Sequence, residues 1–359
     1  YNEEKVDEAL KVLLEIRGVN DFDNAFLARF IGNLYAQKDP KQAIKYLEQA
    51  TKPDVLSFAD QASSLKLVAD LQSMENMHRE AIKNYESWLR FTGENDADVY
   101  LRIANAYYQL QDYQKVLVPI DNAIRYAREP NKQHYMLKMG ALYESKNYPK
   151  TVETVETMVQ LFPEERQFWV YLGNFYTLTE EFGKSLTTLQ LAYSQGYLEK
   201  DSEIRMLAQM YANNNIPFKA AVTMEKHMKD GLVKKDKNNL TFIASNYQSA
   251  REFVKAAFYY GELAALTNDA DSYRRQGSAY LSVQKYNEAI AAFDKALSLN
   301  VEKPSSVYMS LVDAYFYQKK YKEAFAALMN AKKDPNMSRQ VRSWESYIRD
   351  KAKQKGITL

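Results

Sequence analysis

The sequence has no cysteine, which excludes disulfide staples and thiolate metal sites. Glycine and proline are scarce, at 11 and 9 of 359 residues. Either one inside a helix costs about 1 to 3 kcal/mol, so their scarcity favours helices. Net charge is nearly absent, with 48 Lys+Arg against 46 Asp+Glu. That balance argues against a nucleic-acid binder, which needs a concentrated basic face to displace counterions from phosphate. The short cluster Lys234, Lys235 and Lys237 reads as a solvated helix end. No apolar run approaches the roughly 18 to 20 residues that span a bilayer. Histidine occurs three times, as His78, His134 and His227, without metal-ligand spacing. His78 and His134 are expected to face solvent, and His227 to take a position usually filled by a small core residue. There is no Gly-rich phosphate loop and no nucleophile elbow. The expectation is a protein that is not an enzyme and carries no metal and no other cofactor.

What is present is 46% apolar residues and 28 tyrosines, many of the latter at regular intervals. Trp169, Leu172, Gly173 and Tyr176 complete a first-helix pattern, followed by Phe182, Ser185, Leu189 and Ala192 at second-helix spacing. Related frames begin at Tyr100, Met136, Ile204, Leu240, Tyr273 and Tyr308, and weaker ones at Ile31 and Leu65. In the frame of Met136, Met139, Gly140 and Tyr143, one residue is missing before the second helix at Tyr148. The step stays close to the ~34 residues of a tetratricopeptide repeat, whose first-helix pattern Trp169–Tyr176 resembles.

The fold expected is all-α: a right-handed superhelical tetratricopeptide-repeat solenoid of antiparallel helix pairs. A single array would run over 1–359. Residues 1–19 would form a half repeat, 20–335 about nine repeats, and 336–359 a capping helix with Val341, Trp344, Tyr347 and Ile348 on one stripe. The half repeat places Val6, Ala9, Leu13 and Ile16 on one face, an apolar edge to be covered or to dimerise. No pair hides its apolar stripe alone, so neighbours must stack. Gly140, Gly173 and Gly277 are expected where first and second helices cross closely. Pro163, Pro304 and Pro335 fall between pairs, as helix breakers should. Pro119 falls inside a second helix and is expected to mark a kink or a late helix start.

First helices would line a concave groove. Asn33, Asn105 and Asn174 share one inner position, with Arg29, Arg102, Arg205, Arg274 and Arg275 about one turn earlier. Tyr108, Tyr171, Phe242 and Phe316 alternate with them, and Gln209 falls at the asparagine position. Asn can donate to and accept from the backbone of an extended peptide, Arg can grip a carboxylate, and aromatics can anchor apolar groups. The expected ligand is a protein partner, with no nucleic acid and no direct membrane insertion.

Several segments carry a narrower resemblance over nearly the full length. They include Pro119-Ile120, Leu161-Phe162-Pro163, Tyr193 with Gly196-Tyr197-Leu198, and Glu203-Ile204 with Leu207-Ala208-Gln209 and Tyr211. Pro217-Phe218-Lys219-Ala220-Ala221, Ala250-Arg251-Glu252 and Ser343-Trp344 complete the set. Together they resemble tetratricopeptide-repeat proteins associated with TonB energy-transduction systems of marine gamma-proteobacteria. The resemblance implies export to the periplasm, with a cytoplasmic location as the alternative. It further implies an accessory role beside TonB and an ExbB/ExbD-type motor in iron-chelate uptake. An assembly scaffold or co-chaperone for envelope or secreted proteins is the competing role.

Overall fold

The computed structural model describes residues 3–359, and among them all regular structure is helical. Packing divides the chain into two compact units, the first ending at Thr179 and the second beginning at Glu180. The first holds α1 (Glu3–Glu15), α2 (Asp21–Tyr35), α3 (Pro40–Thr51), α4 (Phe58–Met74), α5 (His78–Thr92), α6 (Ala97–Gln109), α7 (Tyr113–Tyr126), α8 (Lys132–Glu144), α9 (Tyr148–Leu161) and α10 (Arg166–Leu178). The second holds α11 (Phe182–Ser194), α12 (Asp201–Asn213), α13 (Pro217–Lys229), α14 (Lys237–Ser249), α15 (Phe253–Thr267), α16 (Ala270–Ser282), α17 (Tyr286–Ser298), α18 (Pro304–Tyr317), α19 (Tyr321–Ala331) and α20 (Ser338–Gln354).

The ends of the helices explain their order. First helices open on side-chain caps: Asn20, Ser57, Asp96, Asn131, Asp236 and Asp269 each accept a hydrogen bond from a backbone N–H of the first turn. First helices close on a three-residue turn with a left-handed residue. Asn76, Gln111, Lys146, Glu180, Asn215, Arg251, Gln284 and Lys319 hold φ near +60° at intervals of 33 to 36 residues. At Gln111 the N–H reaches the Tyr108 carbonyl at 2.9 Å, and the Asp112 N–H reaches that of Tyr107 at 3.0 Å. This double closure is a Schellman motif, and it sends the chain straight into an antiparallel second helix. None of these eight residues is glycine, so the turn left no breaker in the sequence.

The core is a series of small seams rather than one centre. In the first unit, Ala43, Ile44 and Leu47 pack on Val68 and Leu71, and Leu65 and Ala69 of the same α4 pack on Tyr85, Trp88 and Val99. Ala104, Val116, Ile120 and Ala141 form the next seam, and Val155, Met158, Phe168 and Leu172 another. A helix with two buried faces serves two seams at once, which is the packing logic of a repeat array. In the second unit, Ala289, Phe293, Val307, Leu311, Leu328, Val341 and Ile348 join α17 to α20. Gly32 and Gly277 sit at tight crossings, where a Cβ would come within 2.6 Å of Leu47 and Phe293 respectively.

Several expectations need correction. His134 is not solvent-facing; it is 3% exposed. Gly140 does not sit at a first-to-second-helix crossing; its nearest neighbour is Tyr108 of α6. Both follow from register: no residue is missing between α8 and α9, which are joined by 145–147 as α6 and α7 are by 110–112, and the irregularity is instead one extra residue in the five-residue loop 127–131 before α8, against four in loop 162–165. It turns α8 by one position, so that His134 takes the buried place held by Val99 in α6 and Phe168 in α10. Tyr143 is thereby exposed, and Leu142 takes the core position expected of it. α7 runs through Pro119 without a restart, giving up one backbone N–H donor. In α1 the buried residue is Leu10, and Ile16 lies beyond the helix, half exposed.

Candidate functional site

In the first unit the first helices stand side by side, each linked to the next by named side chains. Arg29 of α2 pairs with Asp60 of α4 at 2.6 Å, and Arg102 of α6 with Asp70 of α4 at 3.0 Å. Lys66 of α4 reaches Asp96, the cap of α6, at 3.3 Å. Tyr108 of α6 covers Gly140 of α8, and Tyr143 of α8 meets Phe175 of α10 edge to face at 5.8 Å. Tyr113 and Tyr148, which open α7 and α9, brace Tyr108 and Tyr143 from the second-helix side.

Along this row, Asn33, Asn105 and Asn174 occupy one equivalent position, and all three are exposed. Asp70 fills the same position in α4, and Gly140 in α8. The three asparagine side chains have no hydrogen-bond partner among the described residues, whereas Arg29 and Arg102 are already held by carboxylates. Tyr171 accepts a hydrogen bond from Gln167 at 2.6 Å and stacks on Phe168.

Asp70 is the hub of the row. It accepts the hydroxyl of Tyr85, which is 0% exposed, at 2.5 Å, while pairing with Arg102. Burial, reinforced by the Asp70 carboxylate, pushes the Tyr85 phenol far up, so it stays protonated as a donor. A buried donor thus fixes the carboxylate, and the carboxylate fixes the arginine.

In the second unit the candidate residues are spread over α12, α14, α16 and α18. Arg205 pairs with Asp201 at 3.2 Å, and Gln209 donates to Asn213 at 2.8 Å. Arg274 and Arg275 both turn back to Asp271 of their own helix at 2.7 Å. Phe242 is half-buried. Phe316 packs against Tyr321, Trp344 and Tyr347, beside the closing helix α20. The carboxylate hub here is Glu225, which accepts Tyr247 and pairs with Lys229. Burial works against its ionisation, but hydrogen bonds from Lys229, Tyr247 and Tyr259 hold it below the usual carboxylate range.

An aromatic ladder on α2 was not anticipated from the sequence. Phe22, Phe26 and Phe30, four residues apart, are all exposed, with neighbouring ring centres 6.2 and 6.4 Å apart. The four-residue spacing was its visible signal. Among the described residues no group of three or more His, Asp or Glu could hold a metal ion, and no helix is long and apolar enough to cross a membrane.

Residues 274–338 match the family model for the tetratricopeptide repeat, a repeat that serves in protein-interaction scaffolds. No curated protein sequence matches the chain. Among solved structures, a tetratricopeptide-repeat protein from Parabacteroides merdae is 13% identical, covers 81% of this chain and 98% of its own, and has a TM-score of 0.39. The C-terminal part of a repeat protein from Cytophaga hutchinsonii is 16% identical, covers 67% and 97%, and has a TM-score of 0.43. A structure of Naa15/Naa10 bound to HypK-THB is 18% identical over 93% of this chain and 53% of that one, with a TM-score of 0.49. The recurring helix pairs, with the family match within them, make the fold an all-α tetratricopeptide-repeat solenoid.

Proposed function

We propose that the exposed row of first helices α2 to α10 is a groove that receives an extended or helical segment of a partner protein. The carrying observation is that Asn33, Asn105 and Asn174 share one position and have no internal partner, while the arginines beside them are engaged. A primary amide offers two donors and an acceptor, which suits the unpaired N–H and C=O groups of an incoming backbone. Tyr108 and Tyr171 supply apolar anchors next to those amides. The triple variant Asn33→Ala/Asn105→Ala/Asn174→Ala should lose partner affinity with unchanged circular dichroism. Unaltered affinity would refute the groove.

We further propose that the partner is TonB or an ExbB/ExbD-type motor component, and that the protein acts in the periplasm as an accessory adaptor in iron-chelate uptake. The support is the resemblance carried by segments such as Glu203–Tyr211 and Pro217–Ala221, together with a cysteine-free composition suited to an oxidising compartment. Calorimetric titration of the purified chain with the periplasmic segments of TonB and of the motor tests this. Absence of binding there, with binding to an unfolded outer-membrane protein instead, would favour the assembly-scaffold role.

A further inference from the structure

A cavity of about 670 Å³ opens in the first unit where the loop before α6 meets the loop before α8. Its wall carries Glu94, Asp96, Asp98 and Glu129 against Arg128 as the only lining cation among the described residues. The N-termini of α6 and α8 face it and contribute about half a positive charge each, which leaves the wall negative. Asp96 is committed to capping α6 and to Lys66, but Glu94 and Glu129 are exposed and hold no ion pair among the described residues.

The second feature is His134, which lines the same cavity while 97% buried, its Nδ1 without a hydrogen-bond partner. Burial disfavours the charged imidazolium, so the ring is neutral. Neither ring nitrogen has a hydrogen-bond partner among the described residues, so the neutral ring brings one unmatched N–H donor to the cavity. The acids of the wall ask for a cation, and the imidazole asks for an acceptor. Tyr126, backed by Tyr100 at 5.8 Å, adds an aromatic surface on which a planar cation can lie.

We infer that this cavity binds an arginine-bearing segment of a protein partner, with the guanidinium held by Glu94 and Glu129 and a backbone carbonyl meeting His134. Arginine fits better than lysine, because its fork matches two carboxylates and its plane matches Tyr126. No residue of the asparagine row lines this cavity, so the inference stands apart from the groove.

The test uses the full chain. Its three histidines give three ring signals in NMR, which single substitutions assign. The capped pentapeptide Gly-Ser-Arg-Ser-Gly should shift the His134 signal, and Gly-Ser-Glu-Ser-Gly should not. The double variant Glu94→Gln/Glu129→Gln changes exposed side chains and should keep its circular dichroism. It should weaken the arginine peptide roughly tenfold. The triple asparagine variant should leave the response intact. An unmoved His134 signal, an equal response to the glutamate peptide, or wild-type affinity in the double variant would overturn the inference. Spermidine is the remaining probe. A shift with spermidine and none with the arginine peptide would mean a free polyamine site and would equally overturn it.

Discussion

The Tyr108 hydroxyl lies over Gly140, 3.3 Å from the point where a Cβ would stand. The neighbour is the hydroxyl end of a half-buried ring, which has to give by only a few tenths of an ångström. Gly140→Ala is therefore expected to stabilise the protein by about 0.5 to 1 kcal/mol through helix propensity. Gly277→Ala should do the reverse, at about 1 to 3 kcal/mol, because its Cβ would meet the fully buried Phe293 ring at 2.6 Å. Urea unfolding midpoints of the two variants check the opposite signs.

The left-handed turn residues offer a second stability test. Gln111 is exposed and holds φ at +58°. An L-residue in that region costs about 1 to 2 kcal/mol, part of which glycine recovers. Gln111→Gly is expected to raise the urea midpoint and Gln111→Val to lower it.

Around Asp70, the expected order of effects is set by burial. Asp70→Ala strands the buried Tyr85 hydroxyl and should cost about 1 to 3 kcal/mol. Arg102→Ala removes a pair whose cation is 48% exposed and should cost about 1 kcal/mol at most. Equal losses in equilibrium unfolding would contradict this ranking.

Alkaline pH should weaken the fold. Burial, helped by Asp70 or Glu225, raises the phenols of Tyr85, Tyr247 and Tyr259 from 10.0. A raised pKa gives stability that is complete below about pH 10 and lost as pH rises toward the folded value, since only the unfolded chain releases those protons. Urea midpoints should drop between neutral pH and about pH 11. The variant Tyr85→Phe/Tyr247→Phe/Tyr259→Phe should show a shallower drop.

His134 acts at the other end of the scale. Burial lowers its pKa from 6.5, more than Asp98 raises it. Stability from this group is complete above about pH 6.5 and is lost as pH falls toward the folded value, because the unfolded ring protonates first. His134→Phe, which copies Phe168 at the same place in α10, should flatten this limb of a pH–stability curve.

Helix pairing was legible because large apolar residues and small partners recur with helical period, as at Ile204, Leu207, Ala208 and Tyr211, all buried. The turns were not legible, since their left-handed residues are Gln, Glu, Lys, Arg and Asn rather than glycine. The rotation of α8 was hidden because Met136, Met139 and Gly140 imitate a first-helix frame one residue off. In the candidate site, repeat position could name Arg29 and Arg102. It could not show that Asp60 and Asp70, one repeat away, already occupy them.

The additional residue in loop 127–131 shifts α8 and α9 together against the strict ruler of the sequence, yet Thr151, Val155 and Met158 still lie inward as Ser185, Leu189 and Ala192 do in α11. A slip in a connector is absorbed there, and the next helix pair starts afresh. A joint one residue longer therefore leaves the downstream pair facing inward, and the physical period holds where the written one slips.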